Sequence, residues 1–171
     1  MVTSAQEDEE APKASLCESV RFTKMARACR RTELLLSCWN DPEARPDFGL
    51  FHSSTSPNIS LGGFLYRVVS QINSDGDILV VAWVYLDRFL ALTHYAVSEL
   101  TVHRLFLAVV TVAHLWMEDR CFTNKHISRC GGVSPRELER LVLALCRSLE
   151  WRLWVSEKEY ERYSMMLSLT E

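Results

Sequence analysis

The stretch Ser98–Asp119, SELTVHRLFLAVVTVAHLWMED, decides the reading of the whole chain. From Leu105 to Met117 only Thr111 and His114 interrupt a run of apolar residues. A helix lying on a protein surface shows one apolar stripe and one polar face. The second half of this stretch is apolar on nearly every side, so the pattern predicts a helix surrounded by other helices. About 20 residues at 1.5 Å rise make a rod about 30 Å long, the width of a small domain. The run is shorter than the about 20 apolar residues a membrane span requires, and a mid-run histidine argues the same way. Ser98 is the expected N-cap, with Glu99 in the first turn, where a carboxylate suits the helix dipole. His114, polar in an apolar rod, is the first candidate for a functional side chain.

Toward the N-terminus the pattern repeats. Residues 78–92, ILVVAWVYLDRFLAL, predict a second helix that is apolar on most sides, charged only at Asp87 and Arg88. Isolated charges in such a helix are costly. Arg67, on a preceding helix predicted over 59–73 with Ser60 as cap, is the expected salt-bridge partner of Asp87. Ser74 to Asp77 read as a turn resembling a capping box. Residues 41–58, with three prolines, a glycine and four Ser/Thr, predict a linker. Residues 16–40 predict a helix with Met25, Cys29, Leu34 and Leu35 on one side and Lys24, Arg27, Arg30 and Arg31 on the other. A basic amphipathic helix can bind membranes or acidic partners, but more often its apolar face simply packs on its own domain. Residues 1–15 are small and acidic and predict a disordered tail.

Toward the C-terminus, a short helix over 122–130 is stopped by Gly131-Gly132. Ser134-Pro135-Arg136-Glu137 is a complete start signal, with cap, proline and acidic third position. Leu138, Leu141, Val142, Leu145 and Leu149 supply the core stripe of the helix that follows. Trp151, Leu153, Trp154 and Val155 form an apolar link. Ser156 with Glu159 makes another capping box, opening a last helix to about residue 167. The sum is an all-α chain of seven helices: a tail over 1–15, an N-terminal helix and linker over 16–58, and a helical domain over 59–168.

Composition excludes several classes. The 171 residues carry a formal net charge of −3, which removes the global basic field of a nucleic-acid binder. The six cysteines form no C-x-x-C pair and read as reduced, mostly buried thiols in an intracellular protein, nuclear or cytoplasmic. No leader pattern opens the sequence. Phosphate-loop, dinucleotide and nucleophile-elbow motifs are absent. His114 and Glu118, four apart, make half of a helical metal site, but no matching E-x-x-H stands on another helix. No metal, cofactor or catalytic residue is expected. The reading is an interaction module, not an enzyme.

Five ordered segments then carry a resemblance: V-Y-L-D-R-F-L (84–90), V-H-R-L (102–105), A-H-L-W-M-E-D (113–119), N-K-H-I-S-R-C-G-G-V-S (124–134) and E-L-E-R-L (137–141). Together they resemble the cyclin box over roughly residues 57–163, and most closely the single-box P-type and U-type cyclins. The resemblance implies a five-helix box with flanking helices. It also implies a cyclin-dependent-type Ser/Thr kinase as partner, activated when the cyclin holds its αC helix in place. The family pairs an Arg on the first box helix with the Asp of the Y-L-D-R-F motif, matching Arg67 and Asp87.

Two departures stand out. The Lys that cyclins usually place near the end of the central helix corresponds to Leu115, and the Glu of the fifth box helix corresponds to Val142. Replacing both members of an ion pair with apolar groups can be neutral, whereas removing one is costly. The pattern therefore implies a rebuilt surface. His114 and Glu139 are the expected polar contacts beside it. Family correspondence also places Cys146, Trp151 and Leu153 on or near the kinase-facing side. A cyclin-fold scaffold that binds without activating is the alternative these departures leave open.

Overall fold

The computed structural model describes residues 11–37, 49–74, 76–95, 97–119 and 121–168. Those residues form seven helices and no strand: α1 Ala11–Ser37, α2 Leu61–Gln71, α3 Asp77–Thr93, α4 Val102–Met117, α5 Asn124–Gly131, α6 Pro135–Ser148 and α7 Glu157–Ser168. The all-α expectation holds. Helix α1 starts at Ala11, so residues 11–15 are helical and the predicted tail is left with residues 1–10. Those residues, with 38–40 of the predicted N-terminal helix and 41–48 of the predicted linker, lie outside the described residues.

Helix α4 is the axis. It packs against α2, α3, α5 and α6, and every residue from Leu105 to His114 is buried. Helix α3 is buried from Ile78 to Leu86 and packs on α4 and α7. Two helices without a polar face thus cover each other, and the amphipathic ones close around them. The apolar side of α1 (Met25, Ala28, Cys29) is buried on α2, α3 and α7, and Trp83 Nε1 donates to buried Thr32 Oγ1 at 2.8 Å. The basic helix therefore docks on its own domain, with Lys24 paired to Asp77.

Local signals decide most boundaries. Ser60 accepts from the Gly63 amide, Ser134 accepts from Glu137, and the Ser156 and Glu159 side chains each accept from the other's amide. Two expected caps fail. Ser98 opens a turn before α4, its amide donating to Thr101 Oγ1, and Thr101 takes the cap position. Ser74 donates to Glu118, while α3 starts behind Gly76 with Asp77 turned to Lys24. At Ser74 a tertiary contact outweighs the local hydrogen bond, and at Ser98 another local one does, the turn closed by Thr101.

The expected Arg67–Asp87 ion pair is also absent among the described residues. Arg67 lies over the Phe64 ring at 5.4 Å, and Asp87 accepts from Tyr163 Oη at 2.5 Å. The reason is topological. Helix α2 faces α1, α4 and α5, whereas the Asp87 side of α3 faces α7. Burial and the neighbouring carboxylate push the Tyr163 hydroxyl up to about 12, so it stays a donor.

The two glycines at the end of α5 act differently. Gly132 caps the helix at φ +71°, in the left-handed region. Gly131 is still helical, and a Cβ there would overlap the Leu107 side chain of α4. Gly131→Ala is therefore expected to destabilise the fold by about 1–3 kcal/mol, the usual cost of overpacking a tight core. A urea titration reads this as a lower midpoint at unchanged slope.

Candidate partner-docking site

At the C-terminal end of α4 the surrounding helices stop short of covering it. Leu115 is 45% exposed, and Trp116 and Met117 beside it are also exposed. Together with α6 and the link after it, this end of α4 forms an open groove of about 320 Å3. Val112, Leu115 and Trp116 make one wall. Glu139, Val142, Leu143 and Cys146 of α6 make the other, Asn124 closes one end, and Trp151 and Leu153 close the other. A second depression of about 710 Å3 shares Trp116, Trp151 and Leu153 and continues to Leu92 and Trp154. Trp154 is 73% exposed. Contiguous exposed apolar surface with several tryptophans marks a place where another molecule docks.

The link is held from below by α3. Tyr85 Oη donates to Leu153 O at 2.7 Å. Arg88 donates to Arg152 O at 2.8 Å, to Trp154 O at 3.0 Å and to Glu159 at 2.8 Å. Three successive carbonyls are thereby turned inward, and the side chains of Arg152 and Trp154 face out. The Arg88 hydrogen bond and the Ser156 amide hold the Glu159 carboxyl down at about 2, so the clamp is charged at any ordinary pH. Burial raises the Tyr85 hydroxyl well above its ordinary value, which keeps it a donor.

Backbone strain accompanies the clamp. Glu150 and Trp151 have φ of +52° and +58°, although neither is glycine. The left-handed conformation costs an ordinary residue about 1–2 kcal/mol. Here it closes α6, with the Trp151 amide donating to Cys146 O at 3.0 Å, and leaves Trp151 61% exposed at the groove mouth. Strain of this kind gathers where a surface is shaped for use.

Of the residues singled out in the sequence, Leu115, Glu139, Val142, Cys146, Trp151 and Leu153 meet at this groove. Cys146 lies beneath its floor, a buried thiol whose pKa is raised by that burial. His114 does not join them. It is 1% exposed and points away, with its Nε2 accepting from the Phe122 amide at 3.2 Å and its ring stacked on Phe122. The expectation of a polar contact there is corrected: one residue along a helix turns a side chain by about 100°, which puts His114 inside and Leu115 outside. Sequence reasoning missed Trp116, Leu143, Leu92 and Trp154. Helical spacing from Leu115 and Val142 would have found the first two. The clamp is a tertiary fact with no sequence signal of its own.

The family model described as Cyclin matches residues 4–153 of this chain. The chain belongs to the cyclin family. Among curated relatives, Cyclin-P3-1 of Oryza sativa subsp. japonica is 31% identical over 118 residues, 69% of this chain and 50% of the relative. Cyclin-U3-1 of Arabidopsis thaliana is 32% identical over 69% of this chain and 53% of its own length. A Neurospora crassa protein named Nuc-1 negative regulatory protein preg is 35% identical over 60% of this chain and 22% of its own length. The cyclin described here is thus similar to the P-type and U-type groups, and spans about half the length of the plant relatives it matches. No helix among its described residues is long and apolar enough to cross a membrane, and none of its His, Cys, Asp and Glu side chains there gather in a group of three or more that could hold a metal ion.

Two outcomes check this cyclin's site. Glu150→Gly removes one strained residue, and glycine's greater freedom in the unfolded chain cancels part of the gain. The expected result is a rise of about 0.5–1 kcal/mol, read as a melting temperature higher by about 1–4 °C. His114 gives a pH signature. Burial lowers its pKa below the ordinary 6.5, Glu118 opposing in part. The unfolded chain therefore binds a proton in a range where the folded one does not, and stability falls as pH drops below about 6.5. His114→Gln should flatten that decline in urea titrations between about pH 7 and 5.

Proposed function

We propose that this cyclin is a regulatory subunit that binds a cyclin-dependent-type Ser/Thr kinase through the α4–α6 groove. The observation that carries the reading is convergence. Five residues that family correspondence assigns to the kinase-facing side, with Glu139 beside them, line one apolar groove, far apart in sequence as they are. Leu115 and Val142 stand where cyclins usually carry Lys and Glu, and both lie in it. An apolar pair in place of an ion pair avoids the desolvation cost of burying two charges. Tryptophan at the mouth and Leu at the centre suit an interface in which a few residues carry most of the binding energy.

The mechanism follows from selection between conformations. A kinase of this type is inactive while its αC helix sits out of place, because the αC Glu then cannot pair with the Lys that positions ATP. A partner that binds only the inward conformation shifts the population toward it by its differential affinity. The cyclin performs no chemistry itself. Its contribution is a rigid surface, and the Arg88–Tyr85 clamp supplies rigidity where the link would otherwise be loose.

Affinity purification of the tagged full chain followed by mass spectrometry tests the reading, and recovery of no protein kinase would overturn it. With the kinase in hand, Leu115→Asp should weaken the complex by about 2 kcal/mol or more, about 30-fold. Ser54→Asp, exposed in the loop by the other end of α4, should change affinity less than about twofold. Equal losses would sink the groove assignment.

A second reading rests on the same two apolar positions: a scaffold that binds its partner without activating it. The purified cyclin added to its kinase separates the two. A many-fold rise in substrate phosphorylation supports activation, and tight binding with no rise supports the scaffold.

A further inference from the structure

Past the groove, the depression of about 710 Å3 at the end of α3 is walled by three tryptophans, Trp116, Trp151 and Trp154, and by Leu92. All four are exposed, Trp154 most of all. Trp154 and Leu92 take no part in the groove itself. None of the three indole N–H groups has a hydrogen-bond partner among the described residues. The acceptors beside them are already engaged. Arg88 donates to Arg152 O, to Trp154 O and to the Glu159 carboxylate, and Tyr85 donates to Leu153 O. The Leu153 amide donates to Trp151 O, and the Arg152 amide to Leu149 O. The charges are paired as well, Arg88 with Glu159 and Arg152 with Glu150. The result is an aromatic surface with its charges neutralised, rich in free donors and with the carbonyls of its link already taken.

We propose that this depression docks an uncharged, proline-rich segment of a protein partner in the polyproline II conformation. Hydrogen-bond and charge complementarity select that occupant. Proline carries a carbonyl and no N–H, so a proline-rich chain brings acceptors and few donors. In polyproline II the carbonyls make no internal hydrogen bond and stay open to a partner. Here they meet indole N–H groups, while the pyrrolidine rings pack on the indole faces and on Leu92. Such a segment is extended before it binds, so docking costs it little ordering. Other occupants fit less well. An extended strand needs acceptors for its own amides, and the link's carbonyls are taken. A quaternary ammonium group suits tryptophan faces but would meet the guanidinium groups of Arg88 and Arg152. A polyanion finds both arginines already neutralised. The inference goes beyond the kinase reading and does not depend on it, because Trp154 and Leu92 lie outside the groove. Trp116 and Trp151 line both depressions, so the two occupants would share a wall.

Two labelled peptides with blocked ends test the proposal, P-P-L-P-P-L-P-P-L-P and a control with every proline replaced by glycine. Fluorescence anisotropy with the full chain should show the proline peptide binding with a Kd below about 1 mM and at least about tenfold tighter than the control. Because the surface is neutral, its affinity should change less than about twofold between about 50 and about 500 mM salt. Trp154→Ala and Leu92→Asp should each weaken binding at least about fivefold. Both side chains are exposed, so the circular-dichroism melt of each variant should match the wild type. Trp154→Phe keeps an aromatic face and removes the N–H, and should cost at least about threefold. Absence of binding, equal binding of the glycine control, or full affinity in Trp154→Ala or Trp154→Phe would overturn the proposal. A larger loss in Leu115→Asp than in Trp154→Ala would place the peptide in the groove and overturn it too. Whether a kinase is captured by the wild-type chain bears on the kinase reading alone.

Discussion

Everything in this cyclin depends on enclosing α4. Ten successive buried residues, Leu105 to His114, admit no polar face, so the chain must supply walls on every side. Helices α2, α3, α5 and α6 are those walls. Each fully buried Leu or Val contributes about 1.5–3 kcal/mol, and this helix holds many of them. The enclosure is incomplete only at the last turn, where Leu115, Trp116 and Met117 emerge. The same apolar character that drives burial along most of α4 thus becomes, at its end, an exposed apolar surface. Core and candidate interface are one continuous rod.

The Y-L-D-R-F segment shows how a motif can be read correctly and assigned the wrong contacts. Its charges do need partners, as burial demands. They find them on the C-terminal side of the chain: Asp87 at Tyr163, Arg88 at the link and at Glu159. Asp87 thereby fastens α7 to α3, and Tyr85 and Arg88 hold the segment that bears Trp151 and Trp154. Strain at Glu150 and Trp151 is tolerated because these hydrogen bonds outweigh it. The segment is better seen as the mount of the proposed docking surface than as an internal ion pair.

The groove itself is more apolar than the family pattern leads one to expect, with Glu139 as its one acidic wall residue. Its other charged neighbours lie at its edges. Arg136, Arg140 and Arg147 on α6 and the acidic end of α4 give the rim an asymmetric charge. Affinity from the centre and orientation from the rim is the division seen at protein interfaces generally.

The sequence by itself determined the seven helices, because hydrophobic period, glycine stops and cap residues such as Ser60, Ser134 and Ser156 are local. It also determined the family, through motifs in order, and six of the residues that meet at the groove. What it left to the tertiary structure was every question of facing. Asp87 looks away from Arg67, Ser74 serves Glu118 and not its own helix, and His114 turns inward while Leu115 turns out. Such outcomes depend on which helices lie on which side of α3 and α4. That arrangement is set by the packing of all the apolar faces together, and no window of local sequence contains it.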